Sequence, residues 1–123
     1  MTLAPHPGRR FIILRHGLTD WNVEGRMQGT SDFSRLTPLG VSQAVGAGVG
    51  LSRLLAGEVI TTVYASPLSR AQQTLELAAT QWPEAASVVG QHVVLDDLKE
   101  IELREWSGLL SRDVQRDAPD VYR

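Results

Sequence analysis

A chain of 123 residues accommodates one small domain and no second one, and 42% hydrophobic residues suffice for a core. A net charge of -2, with acidic and basic residues nearly balanced, argues against a general nucleic-acid or membrane-surface binder. The absence of cysteine excludes disulfides, a thiol nucleophile and thiolate metal sites. Every basic residue except Lys99 is arginine, a bias that suits oxyanion recognition and equally codon usage.

The stretch from Met1 to Arg10, with Pro5, Pro7 and Gly8, reads as a flexible tail, and His6 as a solvated residue within it. It lacks the roughly 7–15-residue apolar core of a secretion signal, and no later run approaches membrane-spanning length, so the expectation is a soluble cytoplasmic protein. Residues 11–123 then form the single domain. Phe11 to Leu14 are four consecutive bulky apolar residues, which cannot alternate between core and water and so predict a buried strand of a parallel sheet. Arg15, His16 and Gly17 follow at its carboxyl end, where open α/β sheets place ligands. Gly17 permits a sharp turn and leaves room for a ligand.

Leu18 to Arg35 is too long and too polar for a mere connector, and Trp21 and Asn22 within it suggest an ordered loop folded over a site. Thr37-Pro38 opens a helix as N-cap and first residue, with Val41, Ala44, Val45, Gly48, Leu51 and Leu55 on its apolar stripe. Gly46, Gly48 and Gly50 together cost this helix about 3 kcal/mol relative to alanine, so it relies on packing, with close approach to a strand as the compensation. They are no dinucleotide loop, since they lie in the helix body with no strand before them.

Val59 to Ala65, rich in β-branched residues, predicts a second strand. Ser66-Pro67 follows as N-cap and first position of a helix over 67–80, with Leu68, Ala71, Leu75 and Ala78 facing inward and Trp82-Pro83 ending it. Ser87 to Asp96 predicts a third strand, kinked at Gly90 and with His92 facing outward. A second polar loop from Leu98 to Gly108 follows, then a helix from Leu110 to Asp117 that Pro119 interrupts. Strand, helix, strand, helix, strand is the order of a parallel sheet with right-handed crossovers.

Arg70 in the first helical turn sits unfavourably beside the helix's partial positive charge unless an anion is present. Its side chain leans back towards the sheet rim from which Arg15 and His16 emerge. Two arginines, free amides at a helix start and an imidazole together suit a phosphate dianion. Spacing alone equally allows two surface arginines that never meet. With a phosphoryl group present, His16 is the natural nucleophile and the arginines neutralise charge without a metal. Glu100 is placed to protonate the leaving group, while Glu102 and Glu105 around Arg104 read as a solvated charged segment.

Arg15-His16-Gly17, Thr19, Trp21-Asn22, Gly25-Arg26, Gln28-Gly29, Leu36-Thr37, Leu39-Gly40, Gln43-Ala44, Ser66 to Ala71 with Thr74, and Leu98-Lys99-Glu100 with Trp106 and Gly108 resemble, in that order, the histidine phosphatase superfamily, also called phosphoglycerate mutase-like. The resemblance runs from Phe11 to about Gly108. It implies an α/β three-layer α/β/α sandwich with a mainly parallel sheet and His16 as the phosphorylated histidine. It also implies Arg15 and Arg70 as phosphate ligands, Asn22 as a phosphate-pocket contact, Glu100 as proton donor and a contribution from Ser66 at the helix start. No cofactor or metal follows from it, and the substrate is a small phosphomonoester. Gly25 to Gly29 resembles the broad phosphatase branch, which favours hydrolysis. A cofactor-dependent phosphoglycerate mutase and a non-catalytic phosphate-binding fragment are the alternatives. Arg104 departs from the glycine frequent before Trp106. The family's second histidine, in a Ser-His-Gly context, has no counterpart: neither His6 nor His92 matches it. The forecast is a domain incomplete at its C-terminus, with the edge of Phe11 to Leu14 uncovered, open to homo-oligomerisation, and weakly active alone.

Overall fold

A computed structural model describes residues 10–99 and 107–117. The tail with His6, and Glu100, Glu102, Arg104, Glu105, Trp106 and Pro119, lie outside the described residues. In chain order the elements are α1 (Asp20–Glu24), α2 (Pro38–Leu54), β1 (Tyr64–Ala65), α3 (Ser69–Ala79), α4 (Ala86–Gly90), β2 (Val93–Val94) and α5 (Ser111–Asp117). Short 3-10 turns at Pro83–Ala85 and Asp96–Leu98 flank α4 and β2. β1 and β2 pair in parallel, with Tyr64 opposite Val93 and Ala65 opposite Val94. The α/β class with a parallel sheet is therefore present, although the sheet is small and open.

Helix α2 begins as its sequence dictates. Thr37 caps it, its hydroxyl accepting from Gly40 N at 3.0 Å, and Pro38 occupies the first turn, where no amide is needed. Ala44 and Gly48 form its buried side, and Gly48 lies so close to α3 that a Cβ there would collide with the Ala78 carbonyl. One of the three helical glycines thus serves the crossing of α2 over α3. At Gly46 and Gly50 the space for a Cβ is open. Below this crossing, Leu55, Trp82, Ala85 and Val89 make the apolar cluster, joined at its edge by Leu51, Leu75 and Val63.

Several expectations are corrected. Phe11 to Leu14 is neither buried nor a strand: its side chains are 81%, 45%, 93% and 40% exposed, and no described segment pairs with it. A strand needs a ladder and a buried one needs a second layer, and the described residues supply neither, so the run is left as exposed apolar surface without a strand edge. The second strand is confined to Tyr64–Ala65, because β2 offers only two residues to pair. The third expected strand, Ser87 to Asp96, divides into α4 and β2. Pro83 starts a helical turn, Ala85 and Ala86 favour its continuation, and Val89 is buried against Leu55 and Trp82, so packing overrides the β-propensity of Val88-Val89. His92 is not an outward strand side chain: it is half-buried, with Nδ1 2.8 Å from the Val89 carbonyl and Nε2 2.9 Å from Gln72 Oε1.

Alanine at each of the three helical glycines separates close packing from open space. Gly48→Ala is expected to destabilise the fold by about 1–3 kcal/mol through overpacking. Gly46→Ala and Gly50→Ala, which meet no neighbour, are each expected to stabilise it by roughly 0.5–1 kcal/mol. Urea titrations of the three variants read the opposite signs.

Candidate active site

Gly17 and Leu18, which follow Arg15 and His16, are held by contacts from two helices. Gly17 packs so tightly on Gly40 of α2 that a Cβ on either glycine would strike backbone, the Gly40 carbonyl in one case and Leu18 in the other. Beside it, Leu18 N donates to Gln43 Oε1 at 2.9 Å and the Leu18 carbonyl accepts from Thr37 N at 2.9 Å. From α3, Thr74 Oγ1 accepts from Gly17 N at 3.0 Å and donates to the Arg70 carbonyl one turn earlier at 2.7 Å. The buried Thr74 hydroxyl therefore ties the residue after His16 to the helical turn that carries Arg70. His16 is half-buried, and its Nδ1 lies 2.7 Å from the Gly17 carbonyl. A carbonyl only accepts, so Nδ1 carries the proton and, in the neutral ring, the lone pair is on Nε2. Arg15 is exposed.

Arg70 is 1% exposed, and its guanidinium donates to the Ser31 carbonyl at 2.7 Å and the Gly29 carbonyl at 2.6 Å. A charged group so buried needs such partners. The loop supplies them through a tight turn, Ser31 N donating to the Gln28 carbonyl at 2.9 Å with Gly29 at φ 52. Asp32 at the end of this turn accepts from Ser69 N and from Ser69 Oγ, each at 2.7 Å. The expected helix opening is corrected here: α3 starts at Ser69 with Leu68 as a cap that lacks a side-chain bond. Ser66 Oγ accepts from Leu68 N at 3.2 Å. The amides of Ser69 and Leu68 are thus engaged by Asp32 and Ser66 instead of standing free for an anion.

The long polar loop is ordered, as its tryptophan and asparagine suggested. Thr19 caps α1 in a reciprocal box with Asn22: Asn22 N donates to Thr19 Oγ1 at 3.1 Å and Thr19 N donates to Asn22 Oδ1 at 2.9 Å. Thr19 is fully buried, with its hydroxyl also 2.9 Å from Gln28 Oε1, so the cap of α1 and the turn that receives Arg70 share one contact. Trp21 stacks on Phe33 at 6.3 Å between ring centroids. The second loop joins the first: Met27 N donates to the Leu109 carbonyl at 2.8 Å, Gly108 N to the Met27 carbonyl at 2.9 Å, and Gly108 sits over the Trp21 ring.

Of the sequence-derived residues, Gly17, next in sequence to His16, is linked to Arg70 through Thr74, Arg15 is exposed, Asn22 lies in the loop that wraps Arg70, and Ser66 lies at the approach to α3. Glu100 is outside the described residues. Two residues with clear positioning contacts, Thr74 and Asp32, carried no assigned role in the sequence. The cue for Asp32 was the lack of a capping side chain at the residue before Ser69. Among the described residues no group of three or more His, Cys, Asp or Glu is arranged to hold a metal ion. A cavity of about 330 Å³ between α3 and α4, lined in part by Gln72, Val89 and His92, contains none of the expected site residues.

The Thr74 link yields a prediction. Thr74→Val keeps the volume but leaves the buried Gly17 amide without its acceptor, and is expected to cost about 1–3 kcal/mol in denaturant titration. Thr74→Ser, which retains the oxygen, is expected to recover most of that loss.

Comparison with known proteins places this geometry. The profile of the histidine phosphatase superfamily (branch 1) matches residues 11–123. A probable 2-carboxy-D-arabinitol-1-phosphatase of Arabidopsis thaliana is 38% identical over 117 residues, covering 94% of this chain and 22% of the relative. The sedoheptulose 1,7-bisphosphatase of Saccharomyces cerevisiae is 35% identical over 108 residues, covering 85% of this chain and 40% of the yeast protein. Among solved structures, a mycobacterial glucosyl-3-phosphoglycerate phosphatase complexed with VO3 superposes with a TM-score of 0.65 at 34% identity, over 86% of this chain and 47% of that one. The chain spans less than half the length of each of these relatives. With the profile match extending over nearly the whole sequence and a phosphoglycerate mutase-like fold in its structural neighbours, the chain belongs to the histidine phosphatase superfamily.

Proposed function

We propose that this protein hydrolyses small phosphomonoesters through a phosphohistidine on His16. The observation that carries the reading is the 2.7 Å contact of His16 Nδ1 with the Gly17 carbonyl, which directs the ring's lone pair to Nε2. In the first step Nε2 forms a bond to phosphorus while the ester P–O bond breaks, and the leaving alkoxide takes a proton from an acid, the role assigned to Glu100. In the second step a water oxygen attacks the phosphohistidine, the P–N bond breaks, and the water proton passes to the same carboxylate.

Arg15 and Arg70 supply the charge that the transferring phosphoryl group needs. Asn22 engages its side-chain oxygen in the cap of α1, which leaves its NH₂ as the donor for an anion. In this reading Gly17 serves by its small size, because its amide is bonded to Thr74, and Ser66 contributes by ordering the turn before α3. Three relatives, named as a probable 2-carboxy-D-arabinitol-1-phosphatase, a sedoheptulose 1,7-bisphosphatase and a glucosyl-3-phosphoglycerate phosphatase, support hydrolysis over mutase action and a small phosphorylated substrate. Among the described residues no helix is long and apolar enough to cross a membrane. A cytoplasmic location, a flexible tail before residue 11, a single domain from there on, and association of copies through the exposed run Phe11 to Leu14 belong to the same proposal.

Labelling, substitution and chelation test it. Mixing the protein with 32P-labelled phosphomonoester and quenching in alkali is expected to trap label on His16 that acid releases. His16→Ala is expected to lose both the label and roughly 10³-fold or more in kcat. Arg70→Ala is expected to lose about 10²–10³-fold, and EDTA to leave turnover unchanged, since guanidinium groups rather than a metal balance the charge. Label on another residue, or full turnover by His16→Ala, overturns the reading.

A further inference from the structure

The contacts of Asp32 exceed what a loop residue needs for its own stability. It lies 37 positions before Ser69, yet its two carboxylate oxygens take both the amide and the hydroxyl of that residue at 2.7 Å. Helix α3 has no side-chain cap of its own, so this carboxylate from a distant loop provides one, at the end of the helix where negative charge is favoured. The reciprocal contacts come from the next residue of the helix. Arg70 donates to the carbonyls of Gly29 and Ser31, the residues that precede Asp32 in the same turn. Arg35 Nη1 donates to the Asp32 carbonyl at 2.6 Å and to the Ser34 carbonyl at 2.9 Å, which braces the turn from its other side. The loop therefore grips the helix start with a carboxylate while the helix grips the loop with a guanidinium.

We propose that Asp32 is a positioning residue for Arg70: it holds the 28–32 turn against α3 so that the guanidinium meets a bound phosphoryl group in one fixed orientation. The inference rests on the reading of Arg70 as a phosphate ligand. A long, flexible arginine side chain loses orientation when its two carbonyl acceptors are free to move, and misplacement of a charged donor lowers its value to the bound anion far more than it lowers fold stability. Asp32 itself touches no substrate.

The test uses orthovanadate as a phosphoryl probe on the intact protein, with binding read by calorimetry at a temperature where circular dichroism shows each variant folded. Asp32→Ala is expected to weaken vanadate binding about tenfold or more. Asp32→Asn, which keeps an oxygen for Ser69 N, is expected to stay within about threefold of the parent. A role in stability alone would lower the melting temperature of Asp32→Ala and leave the vanadate affinity of the folded protein unchanged, and that result overturns the proposal. Should Asp32→Ala fail to fold, Ser69→Ala carries the test. It removes one of the two carboxylate contacts and little volume, so a two- to threefold weaker affinity supports the proposal and an unchanged one overturns it. A folded parent that binds no vanadate refutes the phosphatase reading itself, and this inference with it. A parent that binds beside an Asp32→Ala that binds equally well refutes the inference alone.

Discussion

A guanidinium that is 1% exposed governs how the first half of this chain is arranged. Arginine does not lose its proton in proteins, so burying Arg70 requires carbonyl or carboxylate oxygens to be brought to it. The oxygens come from a turn about forty residues earlier, which the sequence can only deliver by wrapping its long polar loop across the start of α3. Once that loop is in place, Gln28 meets Thr19, Thr19 caps α1, and Trp21 and Phe33 stack above the same surface. A single buried charge thus converts the largely polar stretch from Leu18 to Arg35 from a connector into an ordered wall.

The opposite wall depends on the absence of side chains. Gly17 and Gly40 let the segment after Leu14 press its backbone against the first turn of α2, and Gly48 lets α2 press against α3 at Ala78. These close approaches bring the amide of Gly17, the residue after His16, within hydrogen-bond reach of Thr74. Because the Thr74 hydroxyl also donates to the Arg70 carbonyl, a change in the α2–α3 crossing propagates to the relation between Gly17 and Arg70. Packing of helices and placement of chemistry are therefore coupled through one hydroxyl.

Where local chemistry decides, the sequence was legible. Thr37-Pro38 has only one good use, and α2 starts there; the helical glycines signalled a close approach, which Gly48 makes, although to helix α3 and not to a strand; a helix after Leu110 is α5. Where partners decide, it was not. Val88-Val89 looks like strand until Pro83 and the pocket beneath Trp82 draw it into a helix, and Phe11 to Leu14 looks buried although the described residues contain nothing to cover it. The residues around Arg70 fall between these cases. Arg70 itself stood out because a cation in a first helical turn is anomalous, yet its burial under carbonyls and the capture of the α3 amides by Asp32 arise from tertiary contacts that no local spacing encodes.

The exposed apolar run and the short sheet fit a chain that spans less than half of its relatives, while the loops, α2 and α3 already hold each other in place. The central claim is that His16 and Arg70 serve one anion. A crystal structure of the protein with orthovanadate tests it most directly. The account predicts vanadium bonded to His16 Nε2 with an equatorial oxygen in hydrogen-bond contact with the Arg70 guanidinium. An anion bound away from His16, or an Arg70 head group turned from the vanadate, would contradict it.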